Sequence, residues 1–343
     1  MLAMIVKELR QVARDRRTLA MLIVMPVLLL LIFGYAASFD VDEIPTVVVG
    51  ESAQEVADRL PDGLTVERID AEAGREGAEA DLVAGNAHVA VIAGEGVEVL
   101  IDGSELFMAK AAVQMATAMA AQVPGLTYEV LFNPTLDTSA VLVPGLAGLI
   151  IVFVGTLVTS MSVVREQEAG TLEQLAVMPF KPKDVFIGKI APYFLIAAID
   201  IIVILVIGTL VFDVPFNGSA IPLAIGAVLF LFVALGVGVL ISSVSENQAQ
   251  AIQLAIMTLL PQVMLSGIIF PLSSMAPAVR WIGYLLPLTY FNQVAKGVMV
   301  RGAGMGDLIP PLALLAALGG VIFGLAVIRF SRQLRPAPAK AAA

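Results

Sequence analysis

Residues 141–179 read VLVPGLAGLIIVFVGTLVTSMSVVREQEAGTLEQLAVMP. The first part, 141–164, carries no charged residue. A helix rises about 1.5 Å per residue and a bilayer core is about 30 Å thick, so about 20 such residues cross it. At Arg165 the character changes abruptly. Thr171 and Gln174 have the spacing of a capping box, in which the hydroxyl meets the amide three residues on and the Gln side chain reaches back. Glu173 then falls in a first helical turn, where the dipole favours a negative charge. Leu172, Leu175 and Ala176 share one face, and Pro179 stops the helix. The segment reads as a membrane span followed by a short amphipathic rod just beneath the membrane.

Five further stretches match the first in length and apolarity, near 19–39, 186–212, 220–243, 251–270 and 308–328. The chain has 343 residues, of which 59% are hydrophobic and only 14% charged, which is membrane composition rather than soluble composition. The run at 19–39 follows Lys7, Arg10, Arg14, Arg16 and Arg17 and could be mistaken for a secretory signal. It is too long for one, and no small-residue cleavage site follows directly, so it is expected to remain as a span. With no cysteine and a single histidine, His88, there is little material for thiol chemistry or an imidazole metal site.

Sidedness follows from the cations, because Lys and Arg near span ends stay in the cytoplasm. With the N-terminus inside, Arg165, Lys181, Lys183, Lys189 and the tail cations Arg329, Arg332, Arg335 and Lys340 also fall inside, and these are most of the 20 Lys and Arg. Residues 40–138 then lie outside. They carry four cations (Arg59, Arg68, Arg75, Lys110) among a large excess of Asp and Glu. Phosphate binding needs a cationic face, so nucleic acid is not an expected partner. Arg280, Lys296 and Arg301 flank spans on the outer side.

The outer segment reads as a small α/β domain. Strands are expected at Ile44–Val49, Leu64–Ile69, His88–Ile92 and Val97–Ile101, the last two separated by the Gly94-Glu95-Gly96 turn signal. Helices are expected at Glu51–Leu60, at Gly74–Ala84 and, N-capped by Ser104, from there to Val123. Met108, Met115 and Met119 lie at helical spacing and suit either an adaptable ligand surface or packing. His88 is either a proton-sensing group or a strand residue at the domain surface.

The run Arg165-Glu-Gln-Glu-Ala-Gly-Thr-Leu-Glu-Gln-Leu175 resembles the R-E-R-E-x-G-T-L-E-Q-L signature of ABC-2 type transporter permeases, departing from it at Gln167. Asn133-Pro134 with Val143-Pro144-Gly145, the run Pro261…Leu265-Ser-Gly-Ile-Ile-Phe-Pro271…Met275…Pro277, and Pro287-Leu-Thr-Tyr290 resemble further family motifs in family order, over about residues 1–330. The likeness is to the multidrug-type branch with a large outer domain between the first two spans. It implies a coupling helix near 165–179 that docks on an ABC ATPase subunit, with Arg165, Glu166, Glu168, Gly170, Thr171, Leu172, Glu173, Gln174, Leu175 and Pro179 as the coupling residues. It also implies a second permease copy or a paralogue, and export of a drug-like, lipid-like or other amphipathic substrate. Without the resemblance, an amphipathic rod lying in the headgroups is an equal reading of the same residues.

The expected fold is an α-helical polytopic membrane protein of six transmembrane helices with an inserted extracytoplasmic α/β domain, both termini cytoplasmic in the inner (cell) membrane. Its parts are the first span within 1–39, the α/β domain at 40–138, spans two to six at 139–330 and a tail at 331–343. Residues 271–300, interrupted by Pro, Gly and Arg280, are expected to form an outer re-entrant or interfacial element, with Trp281, Tyr284 and Tyr290 anchoring at headgroup level. No phosphate loop occurs: Gly188-Lys189-Ile190 lacks the upstream glycine and the hydroxyl. The chain is therefore expected to be no enzyme and to hold no cofactor, with ATP and Mg on the partner ATPase. Asp200, inside the third span, would line a translocation path or hydrogen-bond a neighbouring helix. Gly145, Gly148, Gly155, Gly236 and Gly238 are expected to let helices approach closely, and Pro26, Pro192 and Pro261 to kink them. A membrane receptor, or an ion-coupled secondary transporter using Asp200, is the alternative function. The latter would call for paired broken helices in two repeated halves, which the sequence does not display.

Overall fold

The structure, a computed structural model, describes residues 43–94, 96–170 and 182–333. Two bodies are built from these. The first is a five-stranded sheet with strands β1 (Ile44–Val49), β2 (Leu64–Asp70), β3 (Val89–Ala93), β4 (Val97–Asp102) and β5 (Thr127–Leu131), and helices α1 (Ala53–Ala57), α2 (Arg75–Ala84) and α3 (Leu106–Ala120). Strand order is β2-β1-β3-β4-β5. Every pair is parallel except β3 with β4, whose short turn allows an antiparallel hairpin.

Alternation along the strands sorts the core into two layers, as a sheet covered on both faces requires. Ile44, Val48, Val89, Val91, Val99 and Ile101 face Ala109, Ala112 and Ala116 of α3, with Met115 and Met119 packed at the edge. Val47, Val49, Ala90 and Leu100 face Ala78 and Leu82 of α2 on the other side. Met108 is 3% exposed, and Met115 and Met119 serve packing here. At the open end of the sheet the Arg75 guanidinium binds Glu79, Glu98 and Glu129 and so ties α2 to β4 and β5.

Three expectations for this body are corrected. Strand β5 was not foreseen. Helix α3 starts at Leu106 behind Glu105, with no side-chain cap: the Ser104 hydroxyl is buried without a partner, and the Ser104 N–H donates to Asp102 Oδ1 at 2.8 Å. Helix α1 is a short turn that ends at Ala57, well before Leu60.

The second body is helical: α4 (Thr138–Glu168), α5 (Pro182–Val211), α6 (Ala220–Ser242), α7 (Gln248–Leu265), α8 (Pro277–Gly283), α9 (Pro287–Lys296) and α10 (Met305–Gln333). Four of them, α4, α5, α6 and α10, contain runs long and apolar enough to cross a membrane. The chain is thus a multi-pass membrane protein. Helix α7 stops at Leu265 rather than near 270, because Gly267 turns the chain with a φ of +81°. The expected span at 19–39, with Pro26, lies outside the described residues.

Helix α6 is the hub, packed between α4 and α10. In lipid, helices gain little from hiding apolar surface, so close packing and hydrogen bonds hold them together. A Cβ on Gly238 would stand 2.8 Å from the Thr156 carbonyl oxygen, and Thr156 Oγ1 donates to the Ala234 carbonyl at 3.2 Å. Phe230 of α6 stacks on Phe291 of α9 with centroids 4.7 Å apart. The outward faces of α5 and α10 are a lipid-compatible surface: Leu195, Ile202 and Leu210 on the first, and Val321 and Leu325 on the second, are all exposed.

Candidate coupling site and sheet-domain junction

Helix α4 joins the two bodies and continues to the expected coupling segment. At its sheet-domain end Asn133 stitches the strand to the helix: its Nδ2 donates to the Gly103 and Asp137 carbonyls, and its Oδ1 accepts from the Asp137 N–H. Asp137 in turn caps the helix by accepting from Ser139 N at 3.1 Å. The Asn-Pro motif thus has a local physical role.

At the opposite end, Glu168 is the last helical residue, Ala169 the C-cap, and Gly170 takes a φ of +68°, the left-handed turn that lets the chain leave. Arg165 is exposed in the last turn, where a cation suits the dipole. Glu168 accepts from Gln248 N at 3.1 Å and from Gln248 Nε2 at 2.6 Å. Gln248 is the first residue of α7, so the carboxylate also meets the positive end of that helix. Asn247 caps the same terminus by accepting from Gln250 N, and Gln250 Oε1 accepts from Glu246 N. The root of the expected coupling segment is therefore fixed to two helices at once. Of the expected coupling residues, Arg165, Glu166, Glu168 and Gly170 belong to this root. Thr171, Leu172, Glu173, Gln174, Leu175 and Pro179 lie outside the described residues.

Asp200 stands half-buried on α5, beside the exposed Ile199, Ile202 and Val203. Among the described residues it meets neither a hydrogen-bond partner nor a cation, so the expected bond to a neighbouring helix is not present there. A different polar set lies on the α4 and α7 faces: Thr156, Thr258 and Gln262 line one shallow groove, and the Gln262 Oε1 is buried without a partner.

The segment after α7 runs over the end of the bundle that faces the sheet domain. Trp281 and Tyr284 are 58% and 48% exposed, as headgroup anchors would be. Tyr290 is not such an anchor. It is 6% exposed and its OH donates to the Tyr284 carbonyl, while Thr289 Oγ1 donates to the Gly283 carbonyl, both at 2.6 Å. These two bonds fasten α8 to α9. Helix α9 itself is buried in the bundle, where Gly148 of α4 makes room for Phe291 and Leu288.

Helix α9 and the π turn Gly297–Arg301 also hold the sheet domain. Lys296, 2% exposed, donates to Glu105 Oε1 at 2.9 Å. Arg301 lies 3.9 Å from Asp102, and His88 Nδ1 lies 3.2 Å from Asp102 Oδ2. His88 therefore does not point into solvent as a surface strand residue would. The antiparallel ladder sets it opposite Asp102, at the buried end of the sheet. Burial would push the Asp102 carboxyl up, but the hydrogen bond from His88, the Arg301 charge and the Ser104 N–H hold it below its ordinary value.

A long helix thus links the sheet domain to the bundle and ends at a glycine turn, and the sequence of the chain matches known proteins along most of its length. A family profile for ABC-2 family transporter proteins matches residues 16–328. The chain belongs to the ABC-2 transporter family. It is 29% identical to the probable multidrug ABC transporter permease YbhS of Escherichia coli K12, over 97% of both chains. It is 33% identical to the inner membrane transport permease YhhJ of the same organism over 59% of this chain and 54% of that one. A 28% identity to ABC transporter G family member 20 of Dictyostelium discoideum covers 56% of this chain and 26% of that protein. The chain is the permease subunit of an ABC exporter. The ATPase that powers it is a separate subunit, and pairing with that subunit comes with the family.

Proposed function

We propose that the chain is one half of a dimeric exporter in the inner membrane, six-spanning, with the run at 19–39 as its first span and both termini on the ATPase side. The sheet domain stands on the outer side, as the cation asymmetry supports. The second half is another copy or a paralogue. The cargo is a drug-like or lipid-like amphipath, in keeping with the multidrug designation of its relative. Residues 171–179 form the helix that docks on the ATPase, and closure of two ATPases drives the permease between two packings by differential contact.

The observation that carries this reading is the root at Glu168 and Gln248. A docking element transmits force only if its base is fixed, and here the base is clasped to the start of α7. The predicted consequence is that Leu172→Asp with Leu175→Asp abolishes co-purification with the ATPase and ATP-dependent export in proteoliposomes, while the permease still folds. Export at the wild-type rate would refute the assignment. The buried, unpartnered Gln262 amide oxygen favours a functional polar role on the α4 and α7 faces over one at Asp200, and Gln262→Leu is expected to lower export several-fold where Asp200→Asn does not.

A further inference from the structure

A cavity of about 410 Å³ lies between the sheet domain and the adjoining end of the bundle, within the size range of about 300–1,000 Å³ usual for small-molecule sites. Both bodies line it: Met108 from the domain, Leu272 and Tyr284 from the segment after α7, and Arg301, Leu308 and Pro311 beyond α9. The lining is mixed, with Met108, Leu272, Leu308 and Pro311 beside polar side chains and a guanidinium on the wall.

Arg301 is the guanidinium on the cavity wall, and the fold matches its charge only loosely. Its side chain is 9% exposed, its only ion pair among the described residues is the 3.9 Å approach to Asp102, and its Nε is enclosed with no partner. Asp102 is already served by His88 and by Ser104 N. A guanidinium presents five donors in a planar fork that matches a carboxylate or phosphate, and it cannot discharge itself by losing a proton. The other charges on the walls are Glu105, paired with Lys296, and Asp307, which accepts from Gly304 N. Both carboxylates disfavour a second negative charge on any occupant.

We infer that this cavity binds a monoanionic amphipath, with a carboxylate or phosphodiester head on Arg301 and a short apolar body along Met108, Leu272 and Pro311. The shared chemistry has two sources, a free organic acid or the headgroup of an anionic lipid. Occupancy clamps the sheet domain to the bundle, because each body supplies one wall.

The test uses the full-length permease in phosphatidylcholine nanodiscs without its ATPase, so a failure here leaves the permease assignment untouched. Equilibrium dialysis with labelled decanoate is expected to give one saturable site per chain beyond the partitioning seen in empty nanodiscs. Arg301→Gln is expected to weaken it at least tenfold. Gln293→Trp, which fills the cavity from α9 and leaves every ion pair in place, is expected to do the same, and this covers the case in which the Arg301 variant fails to fold. Replacing part of the lipid by phosphatidylglycerol assigns the source: competition with decanoate marks a lipid headgroup, and no competition marks a free acid. Uptake equal to that of empty nanodiscs, or saturable binding unchanged in both variants, would overturn the site and leave a cavity that holds water only.

Discussion

The two ends of α4 are fastened by opposite means. At the sheet-domain end, the junction is largely buried: Lys296 with Glu105 and Arg301 with Asp102 cross between the two bodies, and His88 backs Asp102 from within the domain. At the coupling end, one exposed carboxylate, Glu168, meets one glutamine at a helix start. Buried charge pairs are costly to separate and fix one arrangement. Exposed ones are worth little and exchange readily with water or a partner. The sheet domain is therefore fixed to the bundle by buried charge pairs, whereas the root of the proposed coupling segment is held only by an exposed contact.

The largest effect should come from splitting the buried pair so that its better-buried member is left alone. Glu105→Ala leaves the Lys296 ammonium enclosed and unpaired, and is expected to cost about 3–5 kcal/mol in thermal or denaturant unfolding of the purified permease. Adding Lys296→Met should recover most of that loss, and a double variant as unstable as the single one would break the comparison. Next in size is Gly148→Val, since a Cβ there would stand 2.5 Å from the Phe291 ring and 2.7 Å from Leu288. Overpacking of this kind costs about 1–3 kcal/mol, read from the same unfolding curves.

Acid tests the same junction. The Asp102 carboxyl is held below its ordinary value of about 3.9, so its stabilising share is complete above that pH and is lost as pH falls through the lower folded value. Stability measured from about pH 5 downwards should drop at the acid end, and Asp102→Asn should flatten that drop. The smallest effect belongs to the coupling root: Glu168→Gln should change stability by no more than about 1 kcal/mol while lowering the ATP-driven export rate. A large loss of stability there would erase the contrast between the two ends.

Much of this was legible in the sequence because it depends on local pattern. Apolar runs of about 20 residues and the short strand-type apolar run at Ile44–Val49 need only neighbours along the chain. Strand β5 escaped because it lies at the sheet edge with its first residues exposed, so it lacks the near-continuous apolar, buried run that marks β3. The partnerships that define the sites escaped for a different reason. Glu168 and Gln248 are 80 residues apart, and Lys296 and Glu105 are 191 apart. Only the ladder between β3 and β4 brings His88 to Asp102, and only the docking of α9 brings Lys296 to the domain. Tyr290 has the side chain of an interfacial anchor, and only the turn from α8 to α9 buries it.

The central claim, that residues 171–179 face the ATPase on the side opposite the sheet domain, can be read directly because the chain has no cysteine of its own. With Leu172→Cys as the sole thiol, a membrane-impermeant maleimide should fail to label intact cells stripped of their outer barrier. It should label inverted vesicles, and lose that access when the ATPase subunit is added. Labelling from the outer side, or labelling of inverted vesicles that the ATPase leaves unchanged, would contradict the account.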